Sequence, residues 1–460
     1  MNTAAMVMIV HHVDTEGPLS ESVVEVFQRL ESTLGVCFDL APTIGNLKLL
    51  QEGRIEGLDT LTREEIRRIA NPHLVQFKRT WSEIDEMLHR VLAPSFRNEI
   101  VDTTGTGWVY NWHVIDHVGF ESNPRHRDMG YLNILNHYQE ILGSTKSTMD
   151  EVHWHFHPVS FYREAHISAT SYDNSMYELH QVISRRLLEK GWFPRVNRAG
   201  FHTIRPDSNF FLEQWIPFDA SNQAYPEETL AQVDALNGRF GDWRGAPDDW
   251  SVYHPSPLDW RTPGSMNRII ARTLNLQTRF RNINEEEIER AFMKASREDQ
   301  AVYLGITNHD FREMSTEIRD FQQMLISVAG RHHSVPFVYR SAIGAFRTVL
   351  GYSNEQIERD RIRLEGELLG NLLRVRIVNG AIFGPQPYLA FKTTAGQFFH
   401  DNFDFGVGPK SFSYVFDRLT IPLHEVSLIG VASNDRYGNC HILKLVLRNG
   451  EILQDESINL

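Results

Sequence analysis

Three histidines alternate with aromatic residues in the segment 151–158, so that His153, His155 and His157 stand two residues apart. In an extended strand, residues two apart point to the same face, which brings the three imidazoles together. Imidazole is the commonest neutral ligand for zinc and similar ions, and buried histidines need partners for their ring nitrogens. The spacing therefore predicts a metal site, and the alternative is an exposed edge strand.

Two carboxylates, Asp14 and Glu16, follow a short apolar run at residues 6–10. If the strand continues, both side chains point the same way. Metal-assisted hydrolysis of an amide needs a group that holds the ion and a base that takes a proton from water, and this pair can supply both. The alternative is a solvated loop with an acid that caps the next helix.

His309 and Arg198 complete the candidate catalytic residues. His309 follows a second apolar run, at residues 301–306, and stands beside Asp310. A histidine beside a carboxylate suits a general acid that titrates near neutral pH, although His309 taken alone is better interpreted as a satisfied core histidine. Arg198, in a loop-like segment, would keep a neighbouring catalytic acid ionised.

Aromatic side chains supply the candidates for substrate binding. Tryptophan rings stack on flat apolar surfaces such as sugar rings, although many tryptophans simply pack in cores or at their rims. The candidate substrate-binding residues are Trp112, Trp154, Trp215 and His117.

The elements that hold these residues follow a repeated order of apolar strand, polar histidine or acid, and helix. Residues 6–10 predict a strand, the apolar positions from Val23 to Leu30 predict a helix that Gly35 ends, and residues 36–40 predict a second strand. A β-α-β start argues for a parallel α/β fold. Because a (β/α) barrel carries its chemistry at the carboxyl ends of its strands, the candidate residues fit such a barrel.

The pattern of apolar residues in the sequence changes after residue 330. Short alternating runs follow, separated by turn signals such as Asn379-Gly380 and Asn449-Gly450. We therefore expect an α/β barrel domain at residues 1–330 and a β-rich, sandwich-like domain at residues 331–460.

Composition excludes several classes of protein. The chain has 460 residues, 41% hydrophobic and 23% charged, which is typical of a soluble globular protein with more than one domain. A net charge of −13 without a basic patch argues against nucleic acid as a partner. Two distant cysteines, Cys37 and Cys440, indicate neither a disulfide framework nor a cysteine zinc site. The apolar segment 4–10 is too short for a membrane span and lacks the basic start of a secretory signal, so we expect a cytoplasmic protein.

Taken in order, these motifs resemble the polysaccharide-deacetylase superfamily, the NodB-like proteins of carbohydrate esterase family 4. The family's acidic motif is similar to residues 14–16 and its histidine motif to part of residues 151–158. Its third motif is similar to Arg198 followed by Asp219-Ala220-Ser221, and its last to the apolar strand that ends in His309. The resemblance covers residues 1 to about 330.

The resemblance implies a distorted (β/α)7 barrel and a divalent ion held by one acid and two histidines. It implies that Asp14 is the general base, that Arg198 orients it, that Glu16 is the acidic ligand and that His309 is the general acid. The chain departs from the common pattern, because the family usually has adjacent aspartates where this chain has acids two residues apart. A metal-poor site follows if Glu16 is not a ligand.

The identity of the two histidine ligands stays open at this point. The usual spacing of four residues selects His153 and His157, whereas the H-x-H-P variants select His155 and His157. We prefer the second pair and keep His153 as the third choice.

The implied reaction is hydrolysis of an N-acyl group, N-acetyl above all, on a carbohydrate or sugar conjugate. The expected ion is zinc, with nickel, cobalt or manganese as alternatives. Two other functions remain, namely a carbon–nitrogen hydrolase that acts on a non-sugar amide and a catalytically inactive glycan-binding member. The β-rich domain would bind glycan, cover the mouth of the site or join copies of the chain as a homo-oligomer.

Overall fold

The computed structural model describes residues 4–167, 169, 171–226, 241–278, 280–408 and 410–460. The helices in these ranges are α1 (Val23–Leu34), α2 (Ile44–Gln51), α3 (Thr60–Ile69), α4 (Pro72–Val75), α5 (Trp81–Leu92), α6 (Pro94–Glu99), α7 (Asn133–Ser144), α8 (Met176–Lys190), α9 (Pro206–Trp215), α10 (Glu285–Glu298), α11 (Met314–Ala329), α12 (Ala342–Val349) and α13 (Asn354–Arg359). The strands are β1 (Met6–Thr15), β2 (Tyr110–Val114), β3 (Glu151–Phe156), β4 (Val196–Ala199), β5 (Phe218–Asn222), β6 (Ile269–Asn275), β7 (Ala301–His309), β8 (Phe337–Tyr339), β9 (Arg363–Leu369), β10 (Leu372–Asn379), β11 (Tyr388–Thr393), β12 (Phe398–Asp401), β13 (Asp404–Phe405), β14 (Ser411–Val415), β15 (Val426–Asn434), β16 (Cys440–Arg448) and β17 (Glu451–Asn459). Every helix within the described ranges is too short or too polar to cross a lipid bilayer.

Strands β1 to β7 close into a parallel barrel. Neighbouring strands pair in chain order, and β7 pairs back to β1. The strand β8 lies beside the first half of β1, which β2 does not reach. Helices lie in the connections from β2 to β3, β3 to β4, β4 to β5 and β6 to β7, and α1–α6 lie between β1 and β2. The prediction of a parallel α/β barrel is confirmed at this level.

Side chains along each barrel strand alternate between the interior and the surrounding helices. In β1, Val7 and Ile9 pack with the helices, whereas Met8 and Val10 pack inside the barrel. Because both faces of a parallel strand are covered, this part of the sequence is continuously apolar. The same alternation continues the interior face to Asp14 near the end of the strand.

Helix α12 closes the end of the barrel that lies opposite the carboxyl ends of the strands. Phe346 of α12 stacks on Phe218 with ring centroids 4.4 Å apart, and its ring lies 4.9 Å from that of Tyr303. These rings belong to one apolar cluster with Met8 and Val10. The apolar closure leaves the polar part of the interior at the carboxyl ends, where barrel enzymes carry their sites.

The predicted strand at residues 36–40 is wrong. Phe38 instead packs edge-on against Phe27 of α1, with ring centroids 5.9 Å apart. Phe38 and Leu40 both pack against an apolar cluster that the helices α1–α3 form outside the barrel. The apolar side chains of this strand-like segment are therefore buried against helices rather than in the barrel. The strand that pairs with β1 is β2, far along the chain.

Two antiparallel sheets follow the barrel, as the sequence predicts. One has the order β13-β14-β10-β9 and the other the order β12-β11-β15-β16-β17. Apolar residues of both sheets, such as Val375 and Ile429, share one buried cluster, so the sheets face each other as in a sandwich. The predicted boundary at residue 330 falls before β8 and α12, which still belong to the barrel side of the chain.

The sheets pack against α8 and α9 through aromatic residues. Trp215 lies edge-on against Tyr388 and His400, at centroid distances of 5.2 and 5.6 Å. Asn434 Nδ2 donates to the carbonyl oxygens of Pro194 and Trp215, both at 2.7 Å. The prediction of Trp215 as a substrate-binding residue is wrong, because it is 4% exposed and packs in this interface.

We expect mild acid to destabilise the protein through two histidines of this interface. The rings of His180 and His400 stack 4.1 Å apart, and burial lowers the pKa of His180 to about 3 and that of His400 to about 4. An unfolded histidine titrates near about pH 6.5. Below that pH, unfolding takes up protons that the folded protein does not bind, so the free energy of unfolding decreases as the pH falls toward about 4.

Urea unfolding at several pH values between about 7 and 4.5 measures this effect. The His400→Phe variant should lose stability less steeply than the wild type, by about 1 kcal/mol per pH unit. His424→Phe is the matched control, because His424 is 72% exposed and its loss should leave the slope unchanged. Equal slopes in all three proteins would contradict the expected role of His400.

Candidate metal centre

The carboxyl ends of four barrel strands bring the predicted polar residues together. Asp14 lies opposite His309 in the β1–β7 pairing, and His155 lies opposite Arg198 in the β3–β4 pairing. Glu16 follows the end of β1 and is 3% exposed. Because these side chains share the interior face, closure of the barrel gathers residues from distant parts of the chain.

Glu16, His155 and His157 form a buried group that could hold a metal ion. One ligand atom from each lies within 4.8 Å of the other two. The Nε2 atoms of His155 and His157 lie 3.9 and 3.5 Å from Glu16 Oε1, and they are 3.0 Å from each other. The alternative of an exposed edge strand for these histidines is wrong, because β3 lies between β2 and β4.

The donor atoms of this group fit a divalent ion. His155 Nδ1 lies 2.7 Å from the carbonyl oxygen of Arg198, which only accepts, so Nδ1 carries the proton and Nε2 keeps a lone pair. His157 Nε2 faces that lone pair, so a proton or a cation must lie between the two rings. A carboxylate and two imidazoles, buried and convergent, are a donor set that zinc and related ions prefer.

Arg198 keeps Asp14 ionised. Its Nε and Nη2 donate to the two carboxylate oxygens at 2.6 and 2.9 Å, and its Nη1 donates to the carbonyl oxygen of Ala220 at 2.9 Å. Burial by itself would raise the pKa of Asp14, but Arg198, followed by His155, lowers it well below its usual range. The fork geometry fixes the carboxylate as well as its charge.

His309 directs its Nε2 at both carboxylates. That atom lies 3.9 Å from Asp14 Oδ2 and 3.7 Å from Glu16 Oε1. Burial, followed by Arg312, lowers the pKa of His309 to about 4, and Arg312 Nη2 lies 3.4 Å from Nδ1. This runs against the expectation that His309 titrates near neutral pH, since burial and the guanidinium groups of Arg312 and Arg198 outweigh the two carboxylates.

Asp310 anchors the segment that carries Glu16. Its Oδ1 accepts from the backbone N–H of Glu16 at 2.9 Å, and its Oδ2 accepts from that of Gly17 at 3.0 Å and from the Tyr138 hydroxyl at 2.9 Å. Burial raises the pKa of Asp310 to about 7. The sequence suggests that this acid assists His309, but its carboxylate bonds to the Glu16 segment instead.

Arg127 is a site residue that sequence reasoning missed. It lies in the connection between β2 and α7, and its Nη1 donates to Glu16 Oε2. Burial opposes ionisation of Glu16, but Arg127, followed by His157, lowers its pKa well below the usual range. His117, in the same connection, donates from Nε2 to the backbone oxygen of Glu16 at 3.1 Å, so this substrate-binding candidate adjoins the centre.

The turn after β4 holds two residues in an unusual conformation beside the centre. Phe201 and His202 have φ values of 52° and 54°, in the left-handed region that residues other than glycine rarely adopt. The Phe201 ring lies 4.4 Å from that of His157, and His202 Nδ1 accepts from Arg198 Nη2 at 3.1 Å. Such backbone persists where surrounding contacts fix it, which makes His202 a second missed site residue.

Three predicted residues lie away from the centre. Trp112 and Trp154 are fully buried among the apolar residues outside the barrel strands, so their prediction as substrate-binding residues is wrong. His153 faces the interior one layer below His155, where its Nε2 lies 3.0 Å from Glu151 Oε2. It does not belong to the group that could hold an ion.

Comparison of the chain with models of known protein families found no match, and a search of curated proteins found none either.

Proposed function

We propose that this protein is a metal-dependent hydrolase that cleaves the carbon–nitrogen bond of an N-acyl compound, as the resemblance to the polysaccharide deacetylases implies. The observation that carries the proposal is the convergence of Glu16, His155 and His157 beside an Arg198-bound Asp14. A buried carboxylate held ionised next to a set of metal ligands is what water activation requires.

Glu16, His155 and His157 would hold the ion, with zinc expected and nickel, cobalt or manganese as alternatives. When bound, such an ion polarises the amide carbonyl and lowers the pKa of water. Arg127 holds Oε2 of Glu16 and thereby leaves Oε1 facing the two imidazoles.

Asp14 takes one proton from the attacking water while the water oxygen bonds to the carbonyl carbon. His309 Nε2 carries the proton of the neutral ring, because Nδ1 accepts from Arg312 Nη2. It passes that proton to the nitrogen as the carbon–nitrogen bond breaks and takes up the proton held by Asp14 Oδ2, 3.9 Å away. The products are an amine and a carboxylic acid, which releases the second water proton to solvent as it ionises, and Asp14 and His309 return to their starting states. Since His309 is neutral at pH 7, the proton that it delivers is its own Nε2 proton, which the water proton replaces by way of Asp14.

The burial of the three tryptophans favours a second candidate substrate. Trp112, Trp154 and Trp215 are the tryptophans among the predicted substrate-binding residues, and all three pack in apolar cores. The preference for N-acetyl sugars then comes from the family resemblance alone, and a non-sugar amide on the same site is the second candidate.

Release of acyl product from a panel of N-acetyl amino sugars and non-sugar amides tests the proposal. The zinc-loaded wild type should hydrolyse at least one class, and His309→Ala should lower kcat by about 100-fold or more with little change in substrate binding, because it removes proton transfer. His424→Ala, a substitution of an exposed histidine, should match the wild type. No hydrolysis of any compound would overturn the proposed function, and an unchanged kcat in His309→Ala would remove His309 from the mechanism.

A further inference from the structure

Only one side of the Arg127 guanidinium donates a hydrogen bond to the described residues. Its side chain is 4% exposed, and its Nη1 donates to Glu16 Oε2. The buried Nε has no hydrogen-bond partner, and within the described ranges Nη2 donates to nothing either. Nε and Nη2 form the edge that binds an oxyanion with two parallel hydrogen bonds, as the same edge of Arg198 does on Asp14.

The loop around Arg127 holds this edge in a fixed position. The Asn123 side chain binds both backbone groups of Arg127. Its Oδ1 accepts from the Arg127 backbone N–H at 2.9 Å, and its Nδ2 donates to the Arg127 carbonyl oxygen at 2.8 Å. Two residues earlier, the carbonyl of Arg125 accepts from the N–H of Ser20 at 2.9 Å, which ties the loop to the segment after β1. The guanidinium is therefore organised before any ligand arrives.

The charges of the centre favour an anion at this edge. Each site carboxylate already has a buried guanidinium, since Asp14 pairs with Arg198 and Glu16 pairs with Arg127. A divalent ion held by Glu16, His155 and His157 would add two positive charges to these two ion pairs, whose own charges cancel, and the nearby Asp310 carboxyl offsets at most one of them. In a buried site with little water, that positive charge attracts an anionic partner more strongly than at the surface.

We propose that Arg127 binds an oxyanion of the substrate, a phosphate or carboxylate group, beside the metal ligands. The inference rests on the proposed function for its catalytic consequence, which is that the preferred N-acyl compound is anionic. Binding of the oxyanion itself is independent of catalysis and can be measured without turnover.

Titration calorimetry of the zinc-loaded full-length protein with inorganic phosphate tests the binding. Arg127→Gln keeps a donor for Glu16 but lacks the fork, so it should bind phosphate at least about 10-fold more weakly than the wild type. Arg54→Met is the control, because Arg54 is 68% exposed and its loss changes the net charge equally. Zinc content by elemental analysis and a melting curve for each protein verify that the centre and the fold are intact. If Arg127→Gln loses zinc, Arg127→Lys, which keeps the charge without the fork, takes its place.

A matched pair of substrates, N-acetylglucosamine and its 6-phosphate, tests the consequence. The wild type should prefer the phosphate ester in kcat/KM by about 10-fold or more, and in Arg127→Gln the ratio of the two kcat/KM values should fall to near one. The ratio is taken within each protein, so a lower activity of the variant on both compounds does not change it. Equal phosphate affinity in all variants, or no preference in the wild type, would overturn the inference and leave the proposed function standing. Arg127-dependent phosphate binding by a protein that hydrolyses neither these two compounds nor any compound of the amide panel would support the inference and overturn the proposed function.

Discussion

The double variant His155→Ala/His157→Ala is expected to bind no zinc and to lose hydrolytic activity. The two imidazoles supply two of the three converging donor atoms, and the third, from Glu16, belongs to a carboxylate already shared with Arg127. A single shared carboxylate does not hold a divalent ion in competition with water. Since the ion contributes several kcal/mol to such reactions, kcat/KM should fall by about 1,000-fold or more.

Elemental analysis of protein purified without a histidine tag measures the expected loss of metal. His153→Gln is the informative control, because His153 lies one layer below His155 against Glu151 and should not affect zinc content. Metal retained in the double variant would contradict a centre formed by Glu16, His155 and His157. Loss of metal in His153→Gln would indicate that the ion lies one layer deeper in the barrel. It would support His153 and His157 as the two histidine ligands.

The interior face of the barrel could be predicted because the signal is local. A strand repeats every two residues, so the spacing of His155 and His157 and of Asp14 and Glu16 determines that each pair shares a face. The same rule contradicts one of our own predictions. Trp154 stands between two histidines of the interior face, so it must point at the helices and could not bind a substrate inside the barrel.

Residues that act through tertiary contacts have no such signal. Arg127 reaches Glu16 from a connection far along the chain, and the polar segment around it has no apolar strand or helix pattern that would place its side chain at the barrel. The pKa of His309 likewise depends on burial and on Arg312, which only the folded protein combines. The polar residues at strand ends can therefore be predicted from the sequence. The charged groups that shift their pKa values are identified only in the folded structure.

Breaking the buried ion pair between Asp14 and Arg198 is expected to have the largest effect on stability. Both side chains are buried and joined by two hydrogen bonds, so Arg198→Met leaves a carboxylate without a partner inside the barrel. Removal of one member of such a pair typically costs about 3–5 kcal/mol of unfolding free energy. Asp14→Asn should cost a similar amount, because it leaves the guanidinium unpaired.

A double-mutant cycle measures the coupling energy between the two residues. The free energies of unfolding in urea are compared for the wild type, the two single variants and the double variant, with chelator present to remove any bound metal. The double variant should be less destabilised than the sum of the single variants by at least about 2 kcal/mol, because it leaves neither charge unpaired. The exposed pair Glu52 and Arg54, substituted as Glu52→Gln and Arg54→Met, provides the matched control and should show a coupling energy below about 1 kcal/mol. A coupling energy for the buried pair as small as that of the control would mean that Arg198 does not hold Asp14 ionised, and Asp14 would then need another source for the charge that makes it a base.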